Sequence, residues 1–149
     1  MLSNGKYLHE YEVAKFIGRG VLVDARGKQE IDTEILTKAD IQKGDIVIFF
    51  TGRYKKFGEA EYYTNYPELT LECAQKSIAI GASMIGLDTP SPDRVSYEVH
   101  KLLLSHDILI IENLTNLESL LNHPNFEIYA LPAKLQTDSA PCRVAAKII

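Results

Sequence analysis

An imidazole and a carboxylate, His100 and Glu112, are the groups in this sequence best placed to do chemistry together. A neutral imidazole and an ionised carboxylate are both ligands for a divalent ion, and either can carry a proton. They lie in the stretch SYEVHKLLLSHDILIIENLTN, residues 96–116. The pattern predicts a short helix over 97–105, with Ser96 placed to cap it by accepting a bond from a free first-turn N–H. His106 and Asp107 make a turn. Ile108, Leu109, Ile110 and Ile111 follow without a polar break, as in a strand covered on both faces. From His100 to the helix end is roughly 8 Å at 1.5 Å per residue, and from Ile108 to Glu112 roughly 13 Å at 3.3 Å per residue. A helix that turns back into a strand brings its first turn and the last strand residue to one edge of the sheet, so the two side chains should meet there. Each residue also has a simpler reading. A lone His in a first helical turn is often just partly exposed, and a Glu ending an apolar strand often accepts loop N–H bonds, because a buried carboxylate needs partners. Two ligands do not complete a catalytic zinc site, which takes three from the protein and keeps one position open.

The elements that must position this pair follow an alternating order. Residues 46–51 (IVIFFT) and 84–88 (MIGLD) read as strands, the first of them central. Thr70 caps a helix through Ile80, with Leu71, Ala74 and Ile78 on one face and Gly81 as the stop. Residues 1–20 are polar and loosely helical; Gly18 and Gly20 then break them, and residues 21–25 (VLVDA) read as the first strand. Residues 37–40 are a weak helix start. Thr115-x-x-Glu118 is a capping box opening a short helix through Leu121, and 126–131 and 142–149 are the last two strands. Strands alternating with helices argue for an α/β domain with a mixed, largely parallel sheet and flanking crossover helices. Three of the apolar strands finish in polar residues: Thr51-Gly52-Arg53, Asp88-Thr89 and Glu112-Asn113. Parallel strands gather such ends on one edge, where ligands of open α/β sheets bind. Strands end in polar residues in any case, so the convergence places a pocket without naming a reaction. Residues 53–67, dense in aromatics, read as a pocket wall or lid, or as a surface loop packing its rings on the fold.

Composition narrows the partners. At 149 residues the simplest organisation is one domain, 1–149, with a substantial core. Sixteen basic against twenty acidic residues give a net charge of −4, which offers no general attraction to nucleic acid. The basic aromatic run from Arg53 to Phe57 is followed at once by Glu59 and Glu61, which weakens it as a nucleic-acid patch. Cys73 and Cys142 show no CxxC spacing and suit reduced thiols. With no signal-peptide pattern at Met1 and no apolar run near 18 residues, the expectation is a soluble cytoplasmic protein without a membrane partner.

Five segments resemble the cyclase family of metal-dependent hydrolases, which includes the bacterial kynurenine formamidases. Gly44-Asp45-Ile46-Val47 leading to Thr51-Gly52-Arg53 is similar to that family's GDIVL…TGW, and Gly86-Leu87-Asp88-Thr89-Pro90-Ser91 to its GIDTPS. His100-Lys101-Leu102-Leu103-Leu104, followed by Ile111-Glu112-Asn113-Leu114, resembles its H-R-x-L-L…x-E-N-L. Ala130-Leu131-Pro132 with Lys134 resembles its ALPLK, and Ser139-Ala140-Pro141-Cys142-Arg143-Val144 its GSPVR. The order and spacing of the matches run through nearly the whole chain. The resemblance implies a swivelling β/β/α-type fold, a homo-oligomer, and a site with one or two metals, usually zinc or manganese. It makes His100 and Glu112 metal ligands, and gives Glu112 a part in orienting water. Asp88, Thr89, Arg53 and Tyr54 become candidates for shaping a substrate pocket.

The resemblance implies hydrolysis of an amide, ester or lactone carbonyl, with an aryl formamide such as N-formylkynurenine as the substrate class. The sequence departs from the family in two places. The signature HxGTHxDxPxH, which supplies the other ligands and a catalytic His, does not occur, and His9, His106 and His123 form no HxxxHxD pattern. Asn4-Gly5-Lys6, continuing to Phe16-Ile17-Gly18, resembles the family sequence just after that signature. The expectation is therefore a chain short of the family's N-terminal segment, through a truncated gene or an internal start. Arg53 also stands where the family often has Trp, which leaves the local pocket lining open. The alternative to an enzyme is a non-catalytic domain that keeps the fold as an oligomeric or small-molecule-binding protein. A missing edge segment would uncover apolar surface and favour association by strand pairing or a hydrophobic interface.

Overall fold

Five consecutive apolar residues without a polar break can be satisfied only in the middle of a sheet covered on both faces. The computed structural model, which describes residues 5–149, places Ile46–Phe50 there, every residue buried. Met1 and Asn4, on which part of the sequence reading rests, lie outside the described residues. In chain order the strands are β1 (Ile17–Asp24), β2 (Glu30–Ile31), β3 (Ile46–Phe50), β4 (Glu68–Leu69), β5 (Met84–Leu87), β6 (Leu109–Ile111), β7 (Phe126–Pro132) and β8 (Cys142–Ile148). The α-helices are α1 (Ala60–Thr64), α2 (Leu71–Ile80) and α3 (Glu98–Ser105). Six strands form one mixed sheet in the order β6-β5-β3-β1-β7-β8, and β2 pairs with β4 apart from it. The pairs β1–β3, β3–β5 and β5–β6 are parallel, while β1–β7 and β7–β8 are antiparallel. The sheet is thus mixed and mostly parallel, as the alternating pattern predicts. The β7–β8 hairpin joins the parallel half through a short seam of registered pairs, Ile17↔Tyr129, Gly18↔Ile128 and Arg19↔Glu127.

Alternation along the strands sends side chains to two cores. Val47 and Phe49 of β3 join Val23, Ile85 and Leu87 against α2 and α3, where Cys73, Ala74, Val99 and Leu103 are buried. Ile46, Ile48 and Phe50 face the other way with Met84, Phe126 and Ile128. That second face is covered mainly by Phe16, Leu114, Leu117 and Leu120, from loops and short turns, with Leu104 of α3 packed against it.

Several local expectations change. The first strand begins at Ile17, so Gly18 and Gly20 lie inside it; Gly20 is there because the Phe126 ring occupies the space a side chain would need. Residues 53–67 are not continuous loop: a 3₁₀ turn over Arg53–Lys56 and helix α1 occupy them. Helix α2 keeps its expected ends, with Thr70 accepting from the Cys73 N–H at 3.1 Å and Gly81 at φ 82°. Its buried residues, however, are Cys73, Ala74 and Ser77. Residues 35–38 form a 3₁₀ turn in place of the helix start expected at 37–40. The box at Thr115 does not form: the turn Leu117–Leu120 is led by Asn116 at φ 59°, without a side-chain cap, and Glu118 instead meets Lys55 at 3.0 Å.

Candidate metal centre

The β5–α3–β6 connection returns the chain to its starting edge, because β5 and β6 are parallel neighbours. Asn113 donates its N–H to the Thr89 carbonyl at 3.0 Å, and Leu114 to Leu87 at 2.9 Å, so the ends of β5 and β6 are tied together. That leaves Glu112 one residue past the strand, facing the first turn of α3. His100 Nε2 lies 3.2 Å from Glu112 Oε1, so the two side chains expected to meet do so. Two ligands of one tetrahedral zinc, each about 2.1 Å from the ion, stand about 3.4 Å apart. The separation therefore suits two donors sharing an ion as well as it suits a hydrogen bond. The donor types fit too, a nitrogen and an oxygen on a groove wall.

Sequence reading missed a third group. Asp93, 6% exposed, faces the other side of the imidazole, its Oδ1 lying 2.5 Å from His100 Nδ1. Its Oδ2 accepts the Val99 N–H at 2.8 Å. Helix α3 begins at Glu98, preceded by Tyr97 in the left-handed region (φ 59°) with no side-chain cap of its own. Ser96 is thus not the cap; the Asp93 carboxylate takes that work from six residues before Val99. The signal was an Asp just past the two prolines of the loop leaving β5, a residue type that favours helix starts. The Tyr97 ring packs edge-on against the imidazole, centroids 5.5 Å apart. Burial works against a charged imidazole, but hydrogen bonds to Glu112 and Asp93 outweigh it and raise the His100 pKa above its ordinary value. Because Asp93 addresses the far nitrogen, it does not share the point faced by Nε2 and Oε1. Among the described residues no group of three or more His, Cys, Asp and Glu is arranged to hold one ion.

A groove of about 1120 Å³ runs from this pair across the second sheet face. Its walls include Ile48, Met84, Ile111, Leu117 and Ile128, so an apolar body can lie beside the two polar ends. Of the residues singled out from sequence, His100 and Glu112 line it. Asp88 and Thr89 are fully buried and do not line it. Asp88 Oδ1 accepts from the Thr51 N–H at 2.8 Å and the Thr51 hydroxyl at 2.7 Å, pinning β3 to β5. Its Oδ2 has no partner in hydrogen-bonding geometry, although the N–H groups of Gly52 and Tyr54 turn toward the carboxyl. The Thr89 hydroxyl donates to the Ser91 carbonyl at 2.9 Å. Arg53 is committed to α1, donating to the Glu61 carbonyl at 2.7 Å. Tyr54 packs on the second core, its hydroxyl pushed up to about 12, chiefly by hydrogen bonding to Glu118. Tyr62, fully buried, donates to Asn113 Oδ1 at 2.8 Å and holds the residue after Glu112.

Burial raises the Asp88 pKa against the lowering effect of its donors. For a carboxyl whose folded pKa exceeds its unfolded value, the stabilising contribution is greatest at low pH. It declines as pH rises through the unfolded value and on through the folded one. Asp88→Ala leaves the two Thr51 donors unpaired, at about 1–3 kcal/mol. The loss, measured by urea unfolding, should be larger at pH 4 than at pH 7, the reverse of an ion-paired aspartate; an equal or smaller loss at pH 4 would contradict the assignment.

The family model for putative cyclases matches residues 1–94. An uncharacterised protein of Methanocaldococcus jannaschii, MJ0783, is 36% identical over 109 residues, which are 68% of this chain and 53% of that protein. The chain thus spans about half the length of that curated relative. Among solved structures, a potential metal-dependent hydrolase with cyclase activity is similar at 26% identity and a TM-score of 0.80, over 97% of this chain and 71% of that one. A predicted metal-dependent hydrolase from Bacillus stearothermophilus is 26% identical at 0.72, over 94% and 72%. Isatin hydrolase A from Ralstonia solanacearum, 22% identical at 0.84 over 96% and 64%, shares the fold.

Proposed function

The chain belongs to the cyclase family, and on that premise we propose that it carries part of the active site of a metal-dependent hydrolase. The reaction is cleavage of an amide, ester or lactone carbonyl in a small, largely apolar molecule. The observation that carries this reading is the convergence of His100 Nε2 and Glu112 Oε1, 3.2 Å apart, at the wall of an apolar groove. These two atoms would hold a zinc or manganese ion. What such an ion supplies when bound is Lewis-acid activation of water and of a carbonyl oxygen. Glu112, a third exposed, keeps Oε2 free to orient a water and take its proton. The groove walls are largely apolar, which suits the ring of an aryl formamide of the N-formylkynurenine kind, or of a cyclic amide such as the name isatin hydrolase specifies. Asp88, Thr89, Arg53 and Tyr54 support the strand ends and turns behind this edge.

The second reading, a non-catalytic binding domain, is favoured by the absence of a third ligand at the shared point among the described residues. The protein is further proposed to work in the cytoplasm as a homo-oligomer. No described helix is long and apolar enough to cross a membrane. Strand β8, exposed along nearly its whole length at the sheet edge, offers free backbone groups to a second copy.

One preparation of the 149-residue polypeptide tests these statements together. With two protein ligands, zinc or manganese should bind weakly and wash out on dialysis, and formamides should be hydrolysed slowly, in proportion to bound metal. Retention of about one equivalent per chain, with rapid formamide turnover, would overturn the weak-site reading. Complete failure to bind metal at any concentration would favour the binding domain. Light scattering should give a multiple of the chain mass, and a monomer would count against β8 as an interface.

A further inference from the structure

We propose that Asp93 is a positioning residue for His100: it keeps the ring proton on Nδ1 and so presents the Nε2 lone pair toward Glu112. The inference rests on reading His100 as a ligand and adds how the ring is set for that role. A neutral imidazole has one N–H and one acceptor nitrogen, and the partner of each nitrogen decides which is which. Both nitrogens here face a carboxylate, so the two contacts compete for one proton. Asp93 Oδ1 is at 2.5 Å, with the Asp93 side chain only 8% exposed. Glu112 Oε1 is at 3.2 Å, with its side chain 34% exposed. A hydrogen bond to an ionised acceptor strengthens as it shortens and as water leaves, so the proton belongs on the Asp93 side.

Asp93 is also held so that it cannot swing away. Its Oδ2 accepts from Val99, and its own carbonyl accepts from the Ser91 hydroxyl at 2.5 Å and the Tyr66 hydroxyl at 3.3 Å. The bond that starts helix α3 and the bond that orients the imidazole therefore come from one rigid carboxylate. With the proton on Nδ1, the Nε2 lone pair looks across 3.2 Å at a carboxylate oxygen, an opposition that a cation between them relieves.

Replacing one oxygen inverts the arrangement. In Asp93→Asn the Val99 N–H claims the amide oxygen, so the amide NH₂ is turned toward Nδ1. That nitrogen must then accept, and the proton moves to Nε2, where it donates to Glu112 and blocks the lone pair. The test is a ¹⁵N spectrum of metal-free protein labelled at histidine, taken where the ring is neutral. The His100 signals are assigned against His9, His106 and His123 by His100→Gln. The wild type should show Nδ1–H and the asparagine variant Nε2–H. Zinc affinity of the variant should fall about 10- to 100-fold, with its circular dichroism unchanged. Nε2–H in the wild type, or one tautomer in both proteins, overturns the proposal. If the variant does not fold, the wild-type spectrum alone decides. Failure of the metal reading would register separately, as zinc binding that His100→Ala leaves unchanged.

Discussion

Gly20→Val should prevent the sheet from closing. A Cβ built on Gly20 falls 2.0 Å from Phe126 Cε2, 2.5 Å from its Cδ2 and 2.9 Å from Ile128 Cγ1. Phe126 and Ile128 are each 1% exposed, with no room to withdraw, and Gly20 itself is registered to Ile46 beside the fully buried β3. Overpacking a core by a methylene or two costs about 1–3 kcal/mol, occasionally more. Alanine at this site should fall at or above the top of that range, since its single added carbon already overlaps an aromatic ring. Valine adds two more carbons, enough to exhaust a stability of about 5–15 kcal/mol when the ring cannot move. Alanine should therefore give a folded protein with a sharply lower urea midpoint, and valine an insoluble or unfolded one. Gly20→Ala with Phe126→Leu should recover part of the loss, because the two changes share one space. A Gly20→Ala protein as stable as the wild type would mean that the Phe126 ring does not pack against Gly20.

His100→Ala should abolish specific metal binding while the domain stays folded. The imidazole contributes one of the two donors at the shared point, and its removal leaves a partly exposed carboxylate that holds an ion no better than other surface acids. The affinity for zinc, already weak with two protein donors, should fall to that of an isolated surface carboxylate, and any hydrolysis should fall with it. Glu112→Gln, which keeps the shape and removes the charge, should also weaken binding. His106→Ala serves as the control: its Nδ1 contacts only Ser105 and the Leu102 carbonyl, at the far end of the same helix. Isothermal titration with zinc reads all three. Equal affinities for wild type and His100→Ala would remove the candidate centre.

The meeting of His100 and Glu112 was legible because helix rise and strand rise are fixed quantities, and a βαβ connection returns to the edge it left. Buried β3 and the capped helix α2 were legible for the same kind of reason: an unbroken apolar run, and a Thr and a Gly at the two ends. Asp93 was not legible, since its role depends on how the loop after β5 folds back onto α3, and no periodicity encodes that path. Gly20 looks like a breaker because glycine is weak in strands, yet a strand glycine also marks close approach of another group, here the Phe126 ring. The 3₁₀ turn and short helix within residues 53–67 are held by contacts distant in sequence, such as Arg53 to Glu61 and Tyr62 to Asn113.

Asp93, His100 and Glu112 all hang from one crossover, β5–α3–β6, whereas the β7–β8 ribbon meets the parallel strands through the three pairs at residues 17–19. Ile128, Ala130 and Val144 of the ribbon line the groove together with Ile48, Met84 and Ile111 of the parallel strands. A substitution on the ribbon therefore reshapes one wall of the groove without touching Asp93, His100 or Glu112.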